Sequence, residues 1–138
     1  MINLLRKHFN LRRPTTPINS KKMGNWAEQL AFDWLSARGL QPQARNFHCR
    51  YGEIDLIMKD GTCLVFIEVK YRKNSTYGSA EDSITSKKCQ RLTASAETYL
   101  LTKGLSNNAE IRFDAIAISP NKESDLDCTI NWIKNILV

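Results

Sequence analysis

The sequence predicts a single α/β domain, an α+β arrangement with a mixed sheet, in which helices cover the strands. Three observations lead there. Apolar residues recur at helical spacing in two segments, and they alternate in strand fashion over Tyr51–Met58, Thr62–Tyr71 and Ile111–Ser119. Asp60-Gly61 stands between the first two of these runs, as a tight hairpin requires. A chain of 138 residues is long enough to close one hydrophobic core.

Residues 1–19 read as a basic, flexible arm. Arg6, Lys7, Arg12 and Arg13 precede Pro14-Thr15-Thr16-Pro17, which disfavours helix on both sides. Such an arm is either a solvated tail or a contact to DNA. The domain proper spans residues 20–138. Trp26, Ala27, Leu30, Ala31, Trp34 and Leu35 place an amphipathic helix over Lys21–Arg38, and Gly39 sits where a C-terminal cap belongs. Glu28 falls at the flank of its apolar face.

After Pro42, Ala44–Arg50 reads as extended, followed by the two hairpin strands. A loop containing Gly78 leads to a second helix with Leu92, Ala96, Tyr99 and Leu100 as its apolar stripe and Gly104 behind it. In Ile111–Ser119, Ile111, Phe113, Ala115 and Ala117 alternate against Arg112, Asp114, Ile116 and Ile118, and Pro120 is expected to end the strand. Cys128, Ile130 and Trp132 alternate over a short C-terminal element. The order is helix, three strands, helix, strand, then that element.

Composition narrows the class. No apolar run approaches the ~18 residues that span a bilayer. The N-terminus lacks the charge-then-apolar order of a secretory signal, so a cytoplasmic protein without membrane contact is expected. Cys49, Cys63, Cys89 and Cys128 form no CxxC pair, and His8 and His48 stand alone, which argues against a zinc site or a disulfide scaffold. The net charge of +6 permits a polyanionic partner without requiring one.

The chemistry concentrates on the hairpin. With Asp60-Gly61 as a two-residue loop, Ile57 pairs with Leu64, Asp55 with Phe66, and Glu53 with Glu68. Glu53, Asp55, Glu68 and Lys70 then share one face, while Ile54, Leu56, Cys63, Val65, Ile67 and Val69 share the other. Asp55 and Glu68 become diagonal neighbours roughly 7–8 Å apart, within reach of one cation. An exposed face carrying salt bridges would show the same spacing. Two features favour a site: Leu64 and Phe66 lie on that face, and Glu68 and Lys70 continue an apolar run that reads as a central strand.

Gly24-Asn25-Trp26-Ala27-Glu28, Gly52-Glu53-Ile54-Asp55-Leu56-Ile57 and Phe66-Ile67-Glu68-Val69-Lys70-Tyr71-Arg72 together resemble the YraN family of small bacterial endonuclease-like proteins. Arg112-Phe113-Asp114 and Trp132-Ile133-Lys134-Asn135 are similar to further family segments. The likeness runs from about Lys22 to Ile136. The wider group is the PD-(D/E)XK nucleases, related to Holliday-junction resolvases, in which an Asp is followed after a variable gap by Glu-x-Lys; here twelve residues separate Asp55 from Glu68.

The resemblance implies a restriction-endonuclease-like core and a Mg²⁺- or Mn²⁺-dependent endonuclease acting on DNA, including branched recombination or repair intermediates. It implies Asp55, Glu68 and the Val69 carbonyl as metal ligands. It further implies catalytic roles for Lys70, by positioning water or stabilising the transition state, and for Glu28. Arg72, Lys87, Lys88 and Arg91 are candidate phosphate contacts, with Glu53 and Gln90 in supporting positions. The family's helix commonly opens Lys-Gln-Arg-Arg-Leu, whereas this chain has Lys88-Cys89-Gln90-Arg91-Leu92, so the Gln role is lost or moves to Gln90. A homodimer is implied only by analogy with two-fold resolvases, and no organic cofactor is implied. Two rivals remain: a non-catalytic nucleic-acid-binding protein on the same fold, and a protein-interaction module using the sheet face.

Overall fold

A computed structural model describes residues 11–14, 18–72, 85–105, 108–121 and 124–137. The expected loop around Gly78 and most of the expected arm lie outside the described residues. The elements run α1 (Ser20–Ala37), β1 (Gln41–Cys49), β2 (Gly52–Asp60), β3 (Cys63–Tyr71), α2 (Ser86–Thr102), β4 (Ile111–Asn121) and β5 (Ser124–Ile133). The strands form one sheet in sequence order. It is mixed: β3 and β4 are parallel, with α2 between them in sequence, and the other pairs are antiparallel.

Asn19 caps α1, its side chain accepting the Lys22 N–H at 2.9 Å. Ala27, Leu30, Ala31 and Leu35 bury the helix against Leu56, Met58, Val65, Ile67, Ile116 and Ile118 on one side of the sheet. Thr85 caps α2 in the same way through the Lys88 N–H. Leu92, Ala96, Tyr99 and Leu100 pack on Ile57, Leu64, Phe66 and Phe113 on the other side. The sheet is therefore a central layer between two helices, and both of its faces are apolar.

The hairpin register differs from expectation by two residues. Asp60 pairs with Cys63, Lys59 with Leu64 and Ile57 with Phe66, so the loop is Gly61-Thr62 rather than Asp60-Gly61. Gly61 has φ 62, which places the glycine at the first loop position as a type II′ turn requires. Asp60 stays in the ladder, where its carboxylate accepts from Arg112 Nη2 at 3.1 Å. An even shift leaves the faces unchanged. Ile54 is an exception: it packs with the α2-side cluster, not with Leu56. Ile54 pairs with Phe47, next to Asn46, whose φ of 52 departs from extended backbone.

Pro120 does not end β4, which continues to Asn121 and pairs Pro120 with Cys128 of β5. The missing N–H costs no bond to β3, because that pairing stops at Tyr71 and Ile118. Within the N-terminal segment, the Leu11 carbonyl accepts the Cys128 N–H at 2.8 Å, and Arg12 bridges to Asp127. Leu11 also packs against the α1-side core, so this stretch lies along the edge of β5.

Asp114 is fully buried on the α1 side of the sheet and is saturated with donors. Arg112 binds it through Nε and Nη2 at 3.0 Å, Trp132 Nε1 donates at 3.0 Å, and the Asn135 N–H at 3.1 Å. One carboxylate thus ties β4, β5 and the C-terminal turn together, with Arg112 extending the network to the hairpin. Removing it would leave the part-buried Arg112 with Asp60 alone and take the acceptor from Trp132 Nε1 and the Asn135 N–H. Asp114→Ala is expected to lower unfolding free energy by about 3–5 kcal/mol, measured by urea denaturation; a loss near zero would contradict the network.

Candidate active site

The candidate site lies where β2 and β3 part. Their ladder runs to Leu56 and Ile67, and one further step would set Asp55 across from Glu68. There the backbone bonding gives way. The Val69 N–H donates instead to Asp55 Oδ2 at 2.8 Å, so a side chain completes the ladder. Both carboxylates are buried, at 7% and 8% exposure. Burial, and after it the charge of Glu68, push the Asp55 carboxyl up to about 8, with the Val69 N–H only partly offsetting them.

Glu68 is held by two lysines on one oxygen. Lys70 Nζ lies 3.1 Å from Oε1, and Lys88 Nζ reaches the same atom from α2 at 3.4 Å. Burial pulls the Lys70 ammonium down, but its contacts with Lys88, Glu68 and Asp55 outweigh burial and leave it above the ordinary lysine value. Lys88 lies below that value, first through burial and then through Lys70.

Glu28 reaches the site from α1 and lies against Asp55; burial raises its carboxyl above the usual range. Glu53 approaches from the start of β2 and pairs with His48 Nδ1 at 3.1 Å on the exposed rim. Gly52, with φ 142, forms part of the wall in a backbone conformation that side chains rarely adopt. Together these residues line a cleft of about 370 Å³ with Val69, Lys70, Lys88, Arg91 and Leu92.

Among the described residues, no three His, Cys, Asp or Glu side chains gather closely enough to cage a metal unaided. The donor set nevertheless suits a hard divalent cation that keeps several waters and takes one or two carboxylates. Asp55 and Glu68 supply those carboxylates, side by side and desolvated, with the Val69 carbonyl as a further oxygen donor on the same strand. Their mutual repulsion, seen at Asp55, is what such a cation would relieve.

The structure brings Asp55, Glu68, Val69, Lys70, Glu28, Glu53, Lys88 and Arg91 to one cleft. Arg72, Lys87 and Gln90 are exposed and stand outside its lining. Gln90 lies off the face of α2 that is turned to the cleft, which runs Lys88, Arg91, Leu92. Sequence reasoning missed the grip of Lys88 on Glu68 and the burial of Ser95, which accepts a hydrogen bond from Cys49 Sγ at 3.4 Å. The i, i+3, i+4, i+7 spacing of Lys88, Arg91, Leu92 and Ser95 was the available signal.

Comparison with known proteins places this geometry in a lineage. A family model described as Uncharacterised protein family UPF0102 matches residues 27–118, a span that holds Glu28, Asp55, Glu68, Lys70 and Lys88. A UPF0102 protein of Nitrosococcus oceani is 47% identical over 119 residues, covering 86% of this chain and 94% of its own length. UPF0102 proteins of Vibrio cholerae and Photobacterium profundum are 40% and 41% identical, over 87% and 88% of this chain and 95% and 94% of theirs. The chain belongs to the UPF0102 family, the YraN-type group that its sequence resembles.

Proposed function

We propose that this protein is a metal-dependent endonuclease that hydrolyses phosphodiester bonds in DNA, with Mg²⁺ or Mn²⁺ as its cofactor. The observation that carries the reading is the packing of Asp55 beside Glu68 in a cleft, with Lys70 on Glu68. The cleft lining holds four carboxylates and three cations. A phosphate would be repelled from such a lining unless a proton cancelled its net charge or a divalent cation reversed its sign.

Asp55 and Glu68 would hold the ion, assisted by the Val69 carbonyl. The Val69 N–H fixes the Asp55 carboxylate against β3 before any ligand arrives, so little reorganisation is needed. A bound Mg²⁺ would lower the pKa of a coordinated water and offset charge on the phosphate under attack. Lys70, cationic beside Glu68, stabilises negative charge developing on the phosphoryl oxygens; its raised pKa makes it a poor general base. Glu28 and Asp55 form a carboxyl pair able to share a proton at the cleft floor. Arg91 supplies a phosphate contact from α2.

A second reading, binding of nucleic acid without cleavage, is favoured by one observation: two lysines already neutralise Glu68. The two readings separate on linear, single-stranded and four-way-junction DNA incubated with Mg²⁺ or Mn²⁺. Cleavage is expected for the wild type and a loss of at least about 100-fold for Asp55→Ala and Lys70→Ala. Salt-dependent binding without cleavage under either metal would leave only the second reading.

Metal-free stability provides another test. Because folding raises the Asp55 value from 3.8 to about 8, the folded state holds the proton more tightly than the unfolded chain. Stability present below the lower value is lost as pH rises through the upper one. In EDTA at pH 8, Asp55→Asn should exceed the wild type by about 1–2 kcal/mol, with the difference vanishing near pH 4. Added Mg²⁺ should raise the wild-type Tm and leave that of Asp55→Asn unchanged.

A further inference from the structure

Lys70 and Lys88 do not play equivalent parts. Lys70 lies on β3, two residues from Glu68, so the pleat fixes it on the same side as the carboxylate. Lys88 comes from α2, where it occupies the first turn beside the Thr85 cap. Lys87 and Lys88 occupy a helix end at which the dipole disfavours cations, and that turn contains no acidic residue. Lys88 therefore gains nothing from its own helix. Its compensation is Glu68, reached at 3.4 Å across the cleft.

Both ammonium groups converge on Glu68 Oε1, the carboxylate whose charge the proposed cation would need. A carboxylate committed to two lysines offers a metal less negative charge. Of the two, the lysine on the separate element is the one that can leave without disturbing the sheet. Its side chain is one-third exposed and opens onto the same cleft as Arg91, which lies one turn further along α2. A Lys88 ammonium released from Glu68 would remain at a helix N-terminus beside a second cation, where a backbone phosphate is well received.

We infer that Lys88 is a stand-in cation: it occupies Glu68 in the metal-free protein and moves to a DNA phosphate when a divalent cation takes its place. The inference rests on the nuclease reading and assigns Lys88 a positioning role distinct from that of Lys70. It couples metal and DNA binding in a definite direction. Metal frees Lys88 for phosphate, and phosphate draws Lys88 away from the metal site, so each ligand favours the other.

The test uses the full chain and reads binding rather than turnover. Mn²⁺ affinity is measured by calorimetry for wild type, Lys88→Met, Lys88→Arg and Asp55→Ala. Binding of a DNA duplex is measured in Ca²⁺, with a salt titration. Lys88→Met should bind Mn²⁺ about three- to tenfold more tightly than wild type, because a competitor has been removed. It should bind DNA more weakly, with the salt slope reduced by about one. Lys88→Arg keeps the charge and should restore both values toward wild type.

A merely structural lysine would not tighten metal binding when removed. Equal or weaker Mn²⁺ affinity in Lys88→Met, with binding still dependent on Asp55, overturns the stand-in role and leaves the metal-dependent nuclease reading intact. A DNA salt slope unchanged by Lys88→Met overturns the transfer to phosphate. Absence of Asp55-dependent Mn²⁺ binding in every variant overturns the metal reading itself, and this inference with it.

Discussion

The bond from the Val69 N–H to Asp55 Oδ2, at 2.8 Å, is the constraint on which the rest of the site depends. β2 and β3 pair normally up to Leu56 and Ile67 and then separate, with a carboxylate taking over from a carbonyl. The exchange keeps a buried backbone donor satisfied while opening space between the strands. It also commits an acidic side chain to the sheet interior. Glu68 follows on the adjacent strand, and the two carboxylates meet because the ladder ends there. The cleft thus opens where the two strands diverge.

Asp114 shows what the same fold does with a buried carboxylate that has no unmet need. It is more deeply buried than Asp55, yet Arg112, Trp132 and the Asn135 N–H saturate both oxygens. Asp55 has a single backbone donor and carboxylates around it. The contrast separates a carboxylate that fastens elements together from one whose charge its neighbours leave uncompensated. It also accounts for Arg112-Phe113-Asp114 and Trp132–Asn135 as a structural unit: the two segments meet in one network on the side of the sheet that α1 covers. Burial alone does not identify a functional acid; the count and sign of its partners does.

Much of this was legible in the sequence. Ala27, Leu30, Ala31 and Leu35 are buried in α1 at the spacing that predicted them, and Leu92, Ala96, Tyr99 and Leu100 are buried likewise in α2. Asp55, Glu68 and Lys70 come together in spite of a register misjudged by two residues, because an even slip preserves the face. Asp60-Gly61 has the composition of a turn, but the ion pair of Asp60 with Arg112, 52 residues away, holds Asp60 in the strand. Pro120 is tolerated within β4 for a related reason: the pairing with β3 stops at Ile118. Each departure came from a partner distant in sequence, to which periodicity is blind.

The same limit explains why Lys88 read as one basic residue among several. Its helix, its cap and its charge were all visible, but the atom it opposes lies on β3. Once Glu68 Oε1 is seen to carry two ammonium groups, the positive charge of the chain acquires an internal use as well as an external one. A cleft with four carboxylates must balance its charge in every state it visits. Without a ligand, the lysines and a proton on the Asp55 and Glu28 pair serve. With a divalent cation bound, the same lysines are in excess, and excess positive charge in an open cleft is what a phosphodiester backbone requires. On the proposed reading the site would need no separate DNA-binding patch to change its sign: the carboxylates that would receive the metal would release the cations that would receive the phosphate.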